Sequence, residues 1–99
     1  MFHMVVTYNQ PQDTVAFLDH YRSSHAVKAS RMPGLQNYTW GVVEPLDGSE
    51  SDTYLVAQLS FESKEQLLAA MASPEGMEAS ADMGELPHDG FAMHTYADA

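Results

Sequence analysis

Nine residues from Thr53 to Phe61 alternate with a period of two, and this stretch most limits what the chain can become. Leu55, Ala57, Leu59 and Phe61 fall on one face, Tyr54, Val56, Gln58 and Ser60 on the other. A strand with one apolar and one mixed face suits a sheet that is covered on one side. Met1 to Tyr8 reads as a second such strand, with Phe2, Met4, Val6 and Tyr8 set against His3, Val5 and Thr7. Leu35 to Glu44 alternates too, with Gln36, Tyr38, Trp40 and Val42 opposite Leu35, Asn37, Thr39 and Gly41. Phe91 to Tyr96 reads as the last strand.

Helices separate these strands. Asp13 is the expected N-cap of a helix reaching about Ser24, with Phe17, Leu18, Tyr21 and His25 at helical spacing. Pro33-Gly34 punctuates the entry to the next strand, and Pro45 to Glu50 is a polar hairpin loop. Ser63-Lys64-Glu65-Gln66 is a capping-box pattern ahead of Leu67, Leu68 and Met71. Ser73-Pro74 restarts a short helix over Glu75 to Met83, with proline at its tolerated first position, and Gly84 to Gly90 is a loop. The order β-α-β-β-α-β predicts an α+β ferredoxin-like fold. That is a four-stranded antiparallel sheet with helices on one face, as one domain over residues 1–99.

The uncovered face of that sheet is expected to carry Tyr38, Trp40, Tyr54 and Val56, a patch of the kind that marks binding surfaces. A cavity inside so small a chain would leave its lining without packing partners. Two sheets packed face to face would instead bury the patch and enclose a cavity between subunits, so a homodimer is expected. Four basic against fourteen acidic residues, a net charge of −10, argue against nucleic acid and anionic membrane surfaces as partners. There is no cysteine, no apolar run of membrane-span length and no basic signal-peptide start, so a cytoplasmic location is expected.

Three segments taken together resemble the EthD family. They are Tyr21-Xaa3-His25 closing the first helix, the Met32-Pro33-Gly34-Leu35 turn with Tyr38 after it, and Ser73-Pro74-Glu75-Gly76 with Asp82 beyond. The likeness runs from Met4 to Tyr96. It implies a small dimeric α+β barrel protein of a family named for a gene cluster that degrades ethyl tert-butyl ether and grouped with oxidoreductases. The wider superfamily includes cofactor-free monooxygenases, muconolactone isomerases, polyketide cyclases and haem-degrading enzymes. Fold and dimer are therefore implied, and no single activity is selected. Only Ala97-Asp98-Ala99 follow Tyr96, so no arm is expected to close a partner's pocket, whose cover would fall to the Gly84 to Gly90 loop.

The resemblance places His25 at a pocket rim, and an imidazole titrating near pH 6.5 can act there as acid or base. The alternative is a helix-end histidine bonding the last carbonyls. Tyr21, Tyr38, Trp40 and Tyr54 are expected to wall a planar ligand, with phenols donating hydrogen bonds, or else to fill a dimer interface. His94 is a second catalytic candidate. With His3 and Gln58 it would share one sheet face as an acid/base or oxyanion-binding group, unless it is an ordinary sheet residue and His3 a frayed terminus.

His20 is expected to be solvated, and His88 to sit in a loop. No His-Xaa3-His pattern occurs, and the five-residue step from His20 to His25 is a poor helical register, so no metal site is expected. No glycine-rich phosphate loop occurs, and no cofactor is expected. Ser24 beside His25 is adjacency alone. Met71, Met77, Met83 and Met93 read as core fillers. The expected function is a cofactor-independent enzyme or accessory protein acting on a small apolar or aromatic metabolite, by monooxygenation or by proton transfer of the lyase or isomerase type. A carrier of a hydrophobic intermediate is the alternative, and a structural dimer with a filled interface is the third reading.

Overall fold

A computed structural model describes residues 1–99. It has four strands, β1 (Phe2–Asn9), β2 (Asn37–Val42), β3 (Thr53–Phe61) and β4 (Phe91–Ala97). They form one antiparallel sheet in the order β2-β3-β1-β4. Between β1 and β2 the chain is helical in three consecutive segments: α1 (Thr14–His20), a π-helical turn (Tyr21–His25) and α2 (Ala26–Ala29). α3 (Lys64–Ala72) and α4 (Pro74–Met83) follow β3. This is the ferredoxin-like arrangement, and no helix is long and apolar enough to cross a membrane.

Local chemistry accounts for the boundaries. Asp13 accepts the Ala16 N–H at 3.0 Å and Ser63 accepts the Gln66 N–H at 3.2 Å, which starts α1 and α3. The first helical run passes Ser24 because Ala26-Val27-Lys28-Ala29 holds good helix formers and nothing breaks it before Pro33. At Pro33-Gly34, Gly34 takes φ +79° and the Leu35 N–H donates to the Met32 carbonyl, the geometry of a type II turn. Ser73 serves two helices at once. Its hydroxyl donates to the Ala70 carbonyl at 2.6 Å and accepts the Gly76 N–H at 3.0 Å, closing α3 and opening α4. Ser73→Ala is expected to lower unfolding stability by about 1 kcal/mol, the usual worth of a lost cap, measurable as a shift in urea midpoint.

The register assigns each side chain to a face. Met4 lies opposite Leu59 and Val6 opposite Ala57. Tyr38 and Trp40 sit opposite the same Leu59 and Ala57 from the other side. All six therefore point toward the helices, which corrects the expectation that Tyr38 and Trp40 lie on the uncovered face. Alternation sorts a strand into two sets but does not say which set joins the neighbour's apolar face; pairing does. Tyr54 is also re-aimed. Tyr8 pairs with Leu55 and Asn9 with Thr53, which leaves Tyr54 as the extra residue of a bulge, its ring 5.7 Å from that of Phe17. Val56 and Gln58 remain on the uncovered face with His3, Thr39 and His94.

The core lies between sheet and helices. Phe17, Tyr21, Tyr8, Leu55 and Phe61 are its most buried large side chains. Tyr8 meets Phe17 and Tyr21 edge-on, with ring centroids 5.4 and 5.7 Å away.

Candidate active site

A cavity of about 50 Å³ opens between the helix-facing side of the sheet and the helices, with 13 of its 16 lining residues hydrophobic. It lies within one chain, not between two sheets. Five methionines line it (Met4, Met32, Met71, Met83 and Met93), and Ala29, Ala57, Gly76 and Ala79 supply small walls where larger side chains would fill it. Met93 is 43% exposed while lining the cavity, so the opening reaches the β4 side.

Five side chains bring polar groups to this apolar space: the phenols of Tyr8, Tyr21 and Tyr38, the imidazole of His25 and the hydroxyl of Ser80. The Tyr21 and Tyr38 hydroxyls are 2.7 Å apart, so one donates to the other and the acceptor keeps its own O–H to give onward. Tyr8 donates to the Met83 sulfur at 3.1 Å. Burial raises the pKa of all three phenols, Tyr21 the most, and the neighbouring Tyr38 pushes Tyr8 and Tyr21 further up. At neutral pH they are hydrogen-bond donors and not bases.

His25 is held from behind. Its Nδ1 lies 2.9 Å from Oδ2 of Asp82, a carboxylate on α4 whose side chain is wholly buried. An ionised carboxylate only accepts, so Nδ1 carries the proton and Nε2 keeps its lone pair. Burial, helped by the charges of His20 and Lys28, lowers the His25 pKa against the hydrogen bond and charge of Asp82, which raise it. The imidazole is therefore neutral at pH 7 and available as a base. Asp82 also accepts from Ser24 Oγ at 2.9 Å, from His20 Nε2 at 3.0 and 3.2 Å, and from Lys28 Nζ at 3.4 Å. Burial alone would raise the Asp82 pKa, but hydrogen bonds from Ser24, His20 and His25 hold it down at about 2.

The π-helical turn makes this convergence possible. Five residues are about 1.4 turns of an α-helix, which would point His20 and His25 in different directions. Here the Ala26 N–H bonds to the Tyr21 carbonyl five residues back, so positions five apart come into line and both imidazoles reach Asp82. His20 is accordingly not a solvated bystander, and Ser24 donates to the same carboxylate and not to its neighbour His25. Asp82 itself was visible only as part of the Ser73-Pro74-Glu75-Gly76 segment's context. α4 also carries Glu75 and Glu78, so nothing in that helix by itself singles out Asp82.

The sequence candidates divide between two faces. Tyr21, His25 and Tyr38 meet at the cavity. Trp40 backs it, its ring centroid 4.8 Å from that of Tyr21 and 5.8 Å from the Arg22 guanidinium. Tyr54 packs on Phe17 and does not line the cavity. His94 and Gln58 both lie opposite Val5, on the far side of the sheet from His25, and it is Met93 that enters the cavity. His3 shares their face, 2.7 Å from Ser60 Oγ, 2.8 Å from Asp98 and 3.4 Å from Gln58, while His94 is exposed. Of the methionines expected as filler, Met71, Met83 and Met93 line the cavity and Met77 is exposed.

Sheet order, one-sided helices and an apolar cavity bearing imidazole and phenols define a ferredoxin-like α+β protein. The EthD domain model matches residues 9–86, and the chain belongs to the EthD family. An uncharacterized 11.0 kDa protein from the thcB-thcC intergenic region of Rhodococcus erythropolis is 38% identical over 93 residues, 94% of this chain and 90% of that protein. The crystal structure of an EthD family protein from Bacillus halodurans superposes with a TM-score of 0.92 at 26% identity, covering 100% of this chain and 99% of that one.

Three more distant structures share the fold. The hydroxynitrile lyase of Passiflora edulis has a TM-score of 0.76 at 14% identity, over 99% of this chain and 94% of its own. A dimeric ferredoxin-like protein of Thermobifida fusca scores 0.73 at 15%, over 99% and 92%. The cofactor-independent oxygenase SnoaB of Streptomyces nogalater scores 0.68 at 16%, over 98% and 91%.

Proposed function

We propose that the protein is a cofactor-independent enzyme that moves a proton on a small, uncharged, apolar or aromatic substrate, with His25 as general base. The observation that carries this reading is the Asp82-held imidazole, its Nε2 free, in the same cavity as the Tyr21–Tyr38 phenol pair. A base facing fixed O–H donors suits removal of a proton beside a carbonyl, with the developing oxyanion received by the phenols. No cationic side chain lines the cavity to pair with a substrate carboxylate, which favours a neutral substrate. The lyase and oxygenase among the fold neighbours are compatible with this. In an oxygenase the deprotonated substrate would itself supply electrons to dioxygen, so the His25 step would be common to both.

A homodimer belongs to the reading. Dimeric fold neighbours support it, as does β4, an edge strand exposed along its whole length with Phe91, Met93 and Tyr96 uncovered. On this reading His94 and Gln58 lie at or near the contact between subunits, and native mass spectrometry at neutral pH reads the assembly directly. A carrier function is the second reading, favoured by the predominantly apolar, methionine-rich lining.

Incubation with butan-2-one or acetophenone in D₂O, followed by proton NMR, tests for base chemistry. The wild type is expected to accelerate loss of the α-proton signal. His25→Gln is expected to slow it by about 10²–10⁴-fold, the usual contribution of a general base. Tyr38→Phe is expected to reduce the rate less, because Tyr21 still donates. Binding of the ketone without exchange in the wild type would favour the carrier, and equal rates in wild type and His25→Gln would remove His25 as base.

A further inference from the structure

Resting on that reading of His25, we infer that His20 is a positioning residue that sets the basicity of His25 by sharing Asp82 with it. The two imidazoles converge on one oxygen: Asp82 Oδ2 is 2.9 Å from His25 Nδ1 and 3.2 Å from His20 Nε2. Oδ1 is already occupied by Ser24, His20 and Lys28. His20 also lies 3.0 Å from Oδ1, and donors that share one carboxylate divide its charge, so a firmer bond to one weakens its hold on the other. Both histidines reach Asp82 only because of the π-helical turn, a rare local geometry that is frequent at functional sites.

The two imidazoles differ in their contact with water. The His20 side chain is 26% exposed and that of His25 is 9% exposed. A proton taken from solvent by the outer nitrogen of His20 turns its Nε2–H into a charge-assisted donor to Asp82. The carboxylate then carries an imidazolium as well as Lys28. It holds the His25 Nδ1–H less strongly, and the Nε2 lone pair facing substrate becomes less basic.

The other groups facing Asp82 do not change charge near neutrality. Lys28 remains a cation, Ser24 is neutral, and the nearby Tyr8 phenol is kept protonated by burial. A positive charge on His20 therefore opposes a proton on His25 across the shared carboxylate. A site arranged in this way gives up its base as the medium acidifies, through a residue that never touches substrate.

Ring-proton NMR titration of His25 in the substrate-free protein measures this without any assay of turnover. Three proteins are compared: wild type, His20→Gln, which keeps a neutral N–H donor, and His20→Lys, which places a permanent cation beside Asp82. The His25 midpoint is expected to rise in H20Q and fall in H20K. The variants should differ by on the order of one pH unit, the effect of a charge about 4–6 Å away. Should either variant lose its dispersed native spectrum, the wild type alone still decides, because its His25 signal is expected to show a second inflection at the His20 midpoint. Equal midpoints, a shift of the same sign in both variants, or a single uncoupled inflection in the wild type would overturn the inference. The base reading is tested separately by the exchange assay, so one can fail while the other stands.

Discussion

Asp82→Asn is expected to lower unfolding stability by about 2–4 kcal/mol at pH 7, the largest loss for any single polar residue here. Removing one member of a buried ion pair generally costs about 3–5 kcal/mol. The lower figure allows for His20 and Lys28, whose side chains are 26% and 27% exposed and can turn to water. Asparagine keeps one acceptor oxygen but turns an NH₂ toward Ser24, His20, His25 and Lys28, which are all donors to the native carboxylate. The exchange activity expected of His25 should fall with it, since a neutral amide oxygen contested by several donors holds the Nδ1 proton less firmly than the carboxylate does.

The pH dependence has a definite sign. The Asp82 pKa is depressed to about 2, so its contribution is complete above the unfolded value of about 3.9 and is lost as pH falls through the folded value. His25, also depressed, contributes stability above its unfolded value of about 6.5 and withdraws it on acidification. Urea midpoints of the wild type should therefore decline on acidification below about pH 6.5, where His25 is disfavoured as a cation, and again between about pH 4 and pH 2, where Asp82 is protonated. A variant within about 0.5 kcal/mol of wild type at pH 7, inside the usual range for unimportant surface changes, would show that Asp82 anchors nothing.

Gly76→Ala is expected to be as damaging for a reason unrelated to charge. A Cβ at this position would overlap the Ala70 carbonyl oxygen and come within 2.9 Å of Ala70 C and Met71 Cα, all backbone atoms that cannot rotate away. Alanine gains about 1 kcal/mol of helix propensity over glycine. Overpacking costs about 1–3 kcal/mol even where side chains can adjust, and here the α3–α4 corner must open. A net loss of about 2–3 kcal/mol corresponds to roughly 10–20 °C in Tm for a chain of this length. Met71 and Met83 sit on the two helices that would separate, so the cavity should enlarge as the protein weakens. An unchanged melting temperature would mean that α3 and α4 are not packed this closely.

The same two positions show what could be read in advance. Ser73-Pro74-Glu75-Gly76 was legible as a helix restart, because capping by serine and proline at the first turn are local backbone effects. That Gly76 must be glycine was not legible, since its constraint is the carbonyl of Ala70 in another helix. The family resemblance singled out His25 as a titratable group at a pocket rim. Its carboxylate lies 57 residues away in sequence, and no period in either segment connects them.

The resemblance to the EthD family pointed to Tyr21, His25 and Tyr38, while alternation, caps and turn residues in the sequence alone determined the order of strands and helices and the ferredoxin-like class. These follow from interactions within a few residues, where spacing along the chain is also distance in space. The tertiary structure decided which face each residue serves: Tyr38 inward, His94 outward, Tyr54 turned by a bulge. It also brought His20 and His25 to one buried carboxylate, through a π-helical turn. Strand register and helix packing are set by the burial of the whole apolar surface together, and a one-residue slip reverses every assignment.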